Sequence, residues 1–315
     1  MSSYYISVII PTYNRVSTLS NCLLFYNKQN FPYEKFEVIV IDDGSSDNTE
    51  QMIKEIKQHV NYSLKYYRKE NGGPGSARNV GLSRATGEIF LIIGDDIFPD
   101  ANLLLQHWEW HHDIYPENNV GILGFVTWAS NPPPSPLMIW MERWVQNSYH
   151  LLNHTQIVDW KYNYTGNISL KRKFYNATGV IFEERYRIYG FEDIEWGFRL
   201  NRNGFQLRYN KNAIGLHHHW TTLDSSLKRI EKIGTSIQYY KITNPDFYDW
   251  VISDIFPKKW WKKLLLPFVL SPFIVINFVL PLARFYENKK VCPYVFSIIH
   301  MYYLKKGIIN GGIKV

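Results

Sequence analysis

Short apolar runs alternate with amphipathic segments over the first two-thirds of the chain. Four runs rich in β-branched and aromatic residues have the length of strands: ISVIIP (6–11), FEVIVIDD (36–43), LKYYR (64–68) and EIFLIIGDD (88–96). Three segments between them carry apolar residues at helical spacing: TLSNCLLFYNKQ, NTEQMIKEIKQ and GSARNVGLSRA. Nearly all-apolar strands separated by helices are typical of a parallel sheet covered on both faces. The pattern therefore predicts an α/β nucleotide-binding architecture.

Two further patterns delimit individual elements. Asp47, followed by Glu50 three residues later, forms a capping-box pattern and predicts the start of the second helix. The segment NPPPSP at 131–136 predicts a rigid linker, and LMIWMERWVQNSYHLL after it predicts a helix that lies over the sheet edge.

The composition changes near residue 258. KKWWKK leads into Leu264–Ala283, a stretch without charged residues that is long enough to cross a bilayer but is interrupted by three prolines and Asn277. Tryptophan beside lysine is typical of the headgroup level of a membrane. The pattern predicts a kinked or re-entrant membrane-associating region, with a buried helical hairpin as the alternative.

Charge and cysteine content restrict the classes of partner and the cellular compartment that we expect for this protein. The chain has 35 basic and 28 acidic side chains, a net charge of +7, which suits an anionic partner such as a nucleotide or a phospholipid surface. The lysines cluster beside the apolar tail and not on an aromatic platform, which argues against nucleic acid. The chain has two cysteines, Cys22 and Cys292, so neither a disulfide framework nor a cysteine metal site is expected. We therefore expect the protein to be in a reducing compartment. MSSYYISVIIPTYNR lacks a basic leading region and predicts a strand, not a signal peptide.

Polar clusters follow three of the predicted strands. PTYNR follows the first strand, DDGSSD the second and GDD the fourth. Ligands of open α/β sheets bind at the carboxyl ends of the strands, so three clusters there predict a ligand site. A further pair of acids, Glu192 and Asp193, stands at the start of a predicted amphipathic helix. The free N–H groups and the dipole at a helix N-terminus stabilise an ionised carboxylate there.

The chain resembles family 2 glycosyltransferases over about residues 5–220. Six segments occur in the family's order: VIIPTYNR, VIVIDDGSSDNT, NGGPGSARNVGL, GDDIFPD, GNISLKR and GFEDIEWGFRLNRNG. The E-D pair and the histidines after it resemble the C-terminal motifs of galactosyl- and GalNAc-transferases. The resemblance implies a GT-A fold, with a Rossmann-like, mostly parallel sheet and helices on both faces.

The resemblance also implies a division of the chain. Residues 1–220 would form the catalytic domain, with a nucleotide-binding half of about 1–100 and an acceptor half of about 101–220. Residues 221–257 would be a helical extension, and 258–315 the membrane-associating region. The protein would then act at the cytoplasmic face of the membrane, as a peripheral or partly inserted protein.

The family's donor-binding positions map onto the first polar clusters. A carboxylate can accept the imide N–H of uracil, and a guanidinium offers five fixed donors to a base or diphosphate. The resemblance implies ten residues that bind the nucleotide sugar: Pro11, Thr12, Tyr13, Arg15, Asp42, Asp43, Gly73, Arg78, Asp95 and Asn167.

The family's metal motif, D-x-D, reads Gly94-Asp95-Asp96 here. The resemblance implies that Asp96 binds Mn²⁺ or Mg²⁺ and that Asp95 contacts the ribose or supports the metal ligand from behind. In LHHHW (216–220) side-chain alternation puts His217 and His219 on one face and His218 on the other. The resembling subgroup has a histidine ligand here, which favours manganese. The candidate ligands are His217 and His219, with His217 preferred.

The resemblance implies the chemistry as well. Asp193 would accept the proton of the acceptor hydroxyl in an inverting displacement, and Glu192 would hold the acceptor or the donor sugar. The substrates would be a UDP-sugar and a hydroxyl group of a glycan or a lipid-linked acceptor. Three tryptophans near the proline-rich linker are candidates for stacking on a sugar ring: Trp128, Trp140 and Trp144.

Two other functional classes remain open. A sugar-1-phosphate nucleotidyltransferase has a related sheet, but it carries a glycine-rich phosphate loop after the first strand, which PTYNR does not offer. A non-catalytic nucleotide-binding or membrane-scaffold module would have lost the acids, and Asp43, Asp96 and Asp193 are all present.

Overall fold

The computed structural model describes residues 4–146, 148–185, 190–255, 270–289 and 293–311. The chain divides into two compact units. The first contains the described residues up to Ala129, those of Asn147–Arg187, and Glu192–His219; the second contains Ser130–Gln146, residues 190–191 and the described residues from Trp220 onward. The division into a catalytic domain, a helical extension and a membrane-associating region remains a prediction.

Within the described residues, the first unit is built on a nine-stranded sheet. Eight strands form a path in the order β3-β2-β1-β4-β8-β6-β9-β5, and β7 pairs with β9. The strands are β1 (Ile6–Thr12), β2 (Phe36–Asp42), β3 (Ser63–Arg68), β4 (Ile89–Ile93), β5 (Ile97–Pro99), β6 (Val120–Trp128), β7 (Ile157–Val158), β8 (Asn167–Lys171) and β9 (Gln206–His217).

The four strands predicted from the apolar runs form a continuous parallel part of this sheet. β1 pairs in parallel with β2 on one side and with β4 on the other, and β2 pairs in parallel with β3. The three predicted helices are present as α1 (Val16–Phe25), α2 (Thr49–Ile56) and α3 (Pro74–Arg84). A Cβ atom at Gly81 of α3 would collide with Ile9, so this glycine lets α3 lie directly against β1.

Beyond β4 the sheet becomes mixed. β8 is antiparallel to β4 and to β6, whereas β6 and β9 are parallel. The remaining helices of the first unit are α4 (Leu103–Glu109), which continues as a π-helical turn (Trp110–Ile114), α6 (Arg172–Thr178) and α7 (Glu192–Arg202). The fold is a mixed α/β structure with a large central sheet.

The predicted capping box at Asp47 is wrong. The residue before α2 is Asn48, and its side chain makes no capping hydrogen bond. Asp47 instead accepts hydrogen bonds from the backbone N–H of Thr49 and from that of Val16, the first residue of α1. One carboxylate therefore serves two helix starts, a contact that depends on how α1 and α2 pack.

The second unit is helical in its described part. It contains α5 (Pro136–Met141), which continues as a π-helical turn (Glu142–Gln146), α8 (Leu223–Thr243), α9 (Pro245–Ile255), a run of helical segments (Pro272–Ile274, Val275–Val279 and Leu280–Tyr286) and a helix over Pro293–Asn310. The helix predicted after the proline-rich linker, over 137–152, is thus formed only as far as Gln146. Ser148, with a left-handed φ of 44°, is not helical.

The predicted membrane segment is only partly described. KKWWKK and the apolar residues up to 269 lie outside the described residues, as does Cys292, whereas Cys22 is a buried free thiol. Among the helices that the structure describes, none combines the length and the apolarity needed to cross a bilayer.

The crossing of α8 and the Pro293–Asn310 helix in the second unit depends on two glycines. A Cβ atom at Gly307 would meet the carbonyl oxygen of Glu231 in α8, and one at Gly234 would meet that of Leu304. These glycines allow α8 and the Pro293–Asn310 helix to pack backbone against backbone.

We expect Gly307→Ala to lower the free energy of unfolding by about 1–3 kcal/mol through overpacking. The sign is diagnostic, because glycine to alanine inside an open helix stabilises it by about 1 kcal/mol. Gly166→Ala is the control, since a Cβ there meets open space and its φ is not left-handed. The melting temperature of the purified full chain measures both effects. An unchanged or higher melting temperature for Gly307→Ala would contradict this packing.

Candidate functional site

Three of the predicted polar clusters meet at one edge of the sheet. Because β1, β2 and β4 are parallel, the residues after them emerge on the same side. The Thr12 hydroxyl donates to Asp95 Oδ2 at 2.7 Å, and the Asp43 backbone N–H donates to the Thr12 carbonyl at 2.9 Å. Two hydrogen bonds thus join PTYNR, DDGSSD and GDD.

Asp43 orders the loop that precedes α3. Its carboxylate accepts hydrogen bonds from Lys69 Nζ (2.8 Å) and from the backbone N–H groups of Gly72 (3.0 Å) and Gly73 (2.8 Å). Gly73 has a φ of 86°, which a side chain would strain. The sequence signal for Lys69 was weak, since a lysine after an edge strand is ordinarily a surface residue.

Asp42 and Tyr13 differ in whether their side chains are accessible to a ligand. Asp42 is buried and accepts from the Tyr66 hydroxyl (2.6 Å) and from the Ser45 N–H (2.8 Å), so its carboxylate supports the loop after β2. Tyr13 leaves half of its surface exposed and is free to lie against a planar ligand. Pro11 belongs to β1, in register with Ile41.

Arg15 binds both acids of the GDD segment. Its Nη1 donates to Asp95 Oδ1 at 3.1 Å and to Asp96 Oδ2 at 2.5 Å. Burial and the neighbouring Asp96 charge raise the pKa of Asp95. Burial also acts to raise the pKa of Asp96, but contacts with His217 and Arg15 outweigh it, and the pKa of Asp96 lies well below its usual range.

The three histidines face as the strand alternation predicted. His217 Nε2 lies 3.4 Å from Asp96 Oδ2, and its ring stacks on Trp128 with centroids 4.5 Å apart. His219 lies parallel to His217 at 5.9 Å. His218 turns the other way and stacks on Phe98 at 3.8 Å. Trp128 therefore covers His217 and is not an open sugar platform.

The donor atoms at this point fit a divalent cation. A carboxylate oxygen of Asp96 and an imidazole nitrogen of His217 face each other, and Mn²⁺ accepts both ligand types. In the described part of the chain, no group of three or more His, Cys, Asp or Glu side chains has a metal-binding arrangement.

Asp193 lies in the first turn of α7, after two residues with left-handed backbone, Gly190 (φ 128°) and Phe191 (φ 65°). Its Oδ1 accepts from the Ile194 N–H at 2.9 Å, and Asn163 Nδ2 donates to its carbonyl oxygen at 2.9 Å. Burial, and then the Glu192 charge, raise the pKa of Asp193 to about 6, against the opposing effect of Arg78. With this pKa, most of the carboxyl is ionised at neutral pH.

Arg78 pairs with Glu192, which the sequence pattern did not predict. Arg78 Nη1 donates to Glu192 Oε1 at 2.9 Å, and both side chains are buried. The Arg78 Nε has no partner in the described structure. The guanidinium thus joins α3, which starts beside Asp43, to the start of α7, where Asp193 lies.

Asp193 connects to the GDD segment through one short loop. The Thr165 N–H donates to the Asp193 carboxylate, and the Gly94 N–H donates to the carbonyl oxygen of the next residue, Gly166, at 3.5 Å. The acids at positions 43, 96 and 193 are therefore linked around one edge of the sheet.

The structure does not support Asn167 as a donor-binding residue. Its Nδ2 donates to the carbonyl oxygens of Ala213 (2.9 Å) and Phe125 (3.3 Å), and its Oδ1 faces His107 Nε2 at 2.9 Å. The amide is fully buried and its hydrogen-bonding capacity is used inside the protein. A signal existed in the sequence: Asn167 and Ser169 have the spacing of one strand face, and a polar pair on a buried strand predicts internal partners.

Comparison with known proteins gives matches in sequence and in fold. A sequence model described as "Glycosyl transferase family 2" matches residues 7–179. The chain is 27% identical over 277 residues to the uncharacterized glycosyltransferase YfnE of Bacillus subtilis (strain 168), covering 74% of this chain and 69% of that protein.

Two solved structures are similar in fold. Mannosyltransferase PcManGT from Pyrobaculum calidifontis, in complex with GDP-Man and Mn²⁺, superposes with a TM-score of 0.64 at 17% identity, covering 97% of this chain and 86% of that one. Residues 1–349 of S. aureus TarS, in complex with UDP-GlcNAc, give a TM-score of 0.57 at 19% identity, with 98% and 89% coverage. At such identities these likenesses concern the fold alone.

Proposed function

The chain belongs to glycosyltransferase family 2, and we propose that it is an inverting enzyme that transfers a sugar from a UDP-sugar to a hydroxyl group of a glycan or a lipid-linked acceptor. The observation that carries this proposal is the linkage of Asp43, Asp96 and Asp193 around one sheet edge, through Thr12, Gly94 and Arg78. A glycosyl transfer needs a nucleotide site, a charge-stabilising site and a base within one reaction centre.

Asp193 is the general base of the proposed reaction. It accepts the proton of the acceptor hydroxyl as that oxygen attacks the anomeric carbon from the face opposite the diphosphate. A pKa of about 6 suits this task, since the group is ionised at neutral pH but more basic than an ordinary aspartate. Glu192, which forms a buried ion pair with Arg78, holds the sugar or acceptor hydroxyl groups.

The donor lies along the carboxyl ends of β1, β2 and β4. Tyr13 contacts the nucleobase, and Asp42 and Asp43 order the loops around it. The ribose lies beside Asp95, whose two carboxylate oxygens already accept from Thr12 and Arg15. Asp96 and His217 would hold a divalent cation, Mn²⁺ or Mg²⁺, which when bound supplies Lewis-acid stabilisation of the diphosphate charge. Arg15 already touches both acids of this segment and lies within reach of the same phosphates.

The protein acts at the cytoplasmic face of a membrane in this proposal. The support is the basic and apolar composition after residue 258, together with exposed aromatic side chains on the helical segments that follow: Phe273 (70% exposed), Phe278 (62%) and Phe285 (57%). A lipid-linked acceptor would be presented at such a surface.

A donor panel tests the proposed function. The purified full chain is incubated with UDP-sugars and with GDP-mannose, with Mn²⁺ and with a chelator, and nucleoside diphosphate release is measured. We expect UDP release from one UDP-sugar. The release should be lost on chelation and should increase when a glycan or lipid-linked acceptor is added. Pyrophosphate release from UTP and a sugar 1-phosphate would instead indicate a nucleotidyltransferase, and no release from any donor would contradict the proposal.

A further inference from the structure

A cavity of about 550 Å³ lies at the other edge of the central sheet, within the first unit. Its walls include Ile89 at the amino end of β4 and Lys171 at the carboxyl end of β8, which are paired in the sheet. Ile93, next to the GDD segment, pairs instead with Asn167. Four residues of strand span about 13 Å, so the cavity is separate from the carboxylate cluster.

The cavity is basic. Lys171, Arg172 and Lys173 follow one another in the chain and all line it, while Glu88 is the acid among the lining residues. Lys171 Nζ donates to the carbonyl oxygens of Tyr115 and Glu117, both at 2.7 Å, which holds the ammonium in place. In the described part of the chain, Arg172 and Lys173 have no carboxylate partner for their side chains. The cavity therefore attracts an anion.

A buried hydrogen-bond network determines which group His111 offers. Asn167 Nδ2 donates to two carbonyl groups, so its Oδ1 must accept from His107 Nε2–H. Burial lowers the pKa of His107 to about 4, and Nδ1 of the neutral ring accepts a hydrogen bond from the Ser169 hydroxyl (2.7 Å). Ser169 Oγ then accepts from His111 Nε2–H at 2.8 Å.

His111 Nδ1 is consequently a lone-pair acceptor. The residue lines the cavity, is 1% exposed, and its Nδ1 has no hydrogen-bond partner in the described structure. It lies in the π-helical turn after α4, a type of local distortion that is frequent at functional sites. A buried acceptor without a partner is costly, so a ligand that donates a hydrogen bond here is favoured.

We propose that this cavity is a second binding site, for a small phosphate ester that carries a hydroxyl group, the chemistry of polyol phosphates and sugar phosphates. The phosphate group contacts Arg172 and Lys173, and the hydroxyl group donates to His111 Nδ1. This proposal does not depend on the activity proposed above, because none of these residues belongs to the carboxylate cluster.

Calorimetric titration of the full chain with glycerol 3-phosphate tests the site. Arg172→Gln/Lys173→Gln should weaken binding at least about tenfold, since two charge-assisted contacts are lost. Lys57→Gln/Lys232→Gln removes the same total charge elsewhere and should bind like the wild type. All variants should keep the wild-type melting temperature, because the replaced side chains are not buried.

Two further titrations test the role of the ligand's hydroxyl group and whether the cavity is independent of the UDP site. Propyl phosphate, which lacks the hydroxyl groups, should bind at least about fivefold more weakly than glycerol 3-phosphate, and saturating UDP should leave the binding unchanged. The proposal is overturned if glycerol 3-phosphate does not bind, if Arg172→Gln/Lys173→Gln binds like the wild type, or if UDP displaces the ligand. Equal affinity for propyl phosphate would remove the role given to His111.

Discussion

Asp193→Asn is expected to lower kcat by about 10²- to 10⁴-fold, the usual contribution of a general base, while the Kd of the UDP-sugar changes less than about threefold. Asparagine keeps the shape of the side chain and an oxygen that can accept from the Ile194 N–H, but it cannot take a proton. Removing this charge also relieves its repulsion with Glu192, so the fold should be at least as stable.

The pH dependence gives an independent measurement of the same assignment. In the wild type, kcat/KM should fall as the pH drops below about 6, because burial and Glu192 raise the pKa of Asp193 to that value and only the ionised form accepts a proton. The residual activity of Asp193→Asn should lack this decline. Asp224→Asn, which removes an acid from an exposed ion pair with Arg284, is the matched control and should behave like the wild type. Unaltered turnover by Asp193→Asn would refute the base assignment.

Asp96→Asn is expected to weaken Mn²⁺ binding and metal-dependent turnover by at least about 100-fold, since even the loss of a group that supports a metal ligand costs about 10- to 100-fold. The amide is a neutral and weaker ligand, and it also loses the ion pair with Arg15. Electron paramagnetic resonance of Mn²⁺ in the presence of UDP measures the metal affinity directly, without relying on activity.

The histidine triplet supplies the control for this experiment. His217→Gln should also weaken Mn²⁺ binding, because its Nε2 faces Asp96 Oδ2. His218→Gln, one residue away, should leave the affinity unchanged, because that ring stacks on Phe98 and points away from the acids. Full Mn²⁺ affinity in Asp96→Asn, or equal losses in the two histidine variants, would contradict the proposed metal site.

Several features of the chain follow from local sequence alone. The apolar runs predicted β1 to β4 and the amphipathic segments predicted α1 to α3, because a strand buried on both faces and a half-buried helix leave different periodicities. The meeting of PTYNR, DDGSSD and GDD was predictable too, since the carboxyl ends of parallel strands share one edge. The alternation of His217, His218 and His219 was predictable for the same kind of reason, as it depends only on extended backbone.

Other features depend on packing between residues that are distant in the chain. Arg78 reaches Glu192 across 114 positions, and no periodicity near either residue encodes that partner. Asn167 turned inward because α4 brings His107 against β8, and Asp47 serves α1 as well as Thr49 because two helix starts meet there. Local sequence thus determined which segments become strands and helices and which edge carries the acids. The tertiary structure alone decided which buried polar groups are satisfied by one another and which, like His111 Nδ1, are left to bind something else.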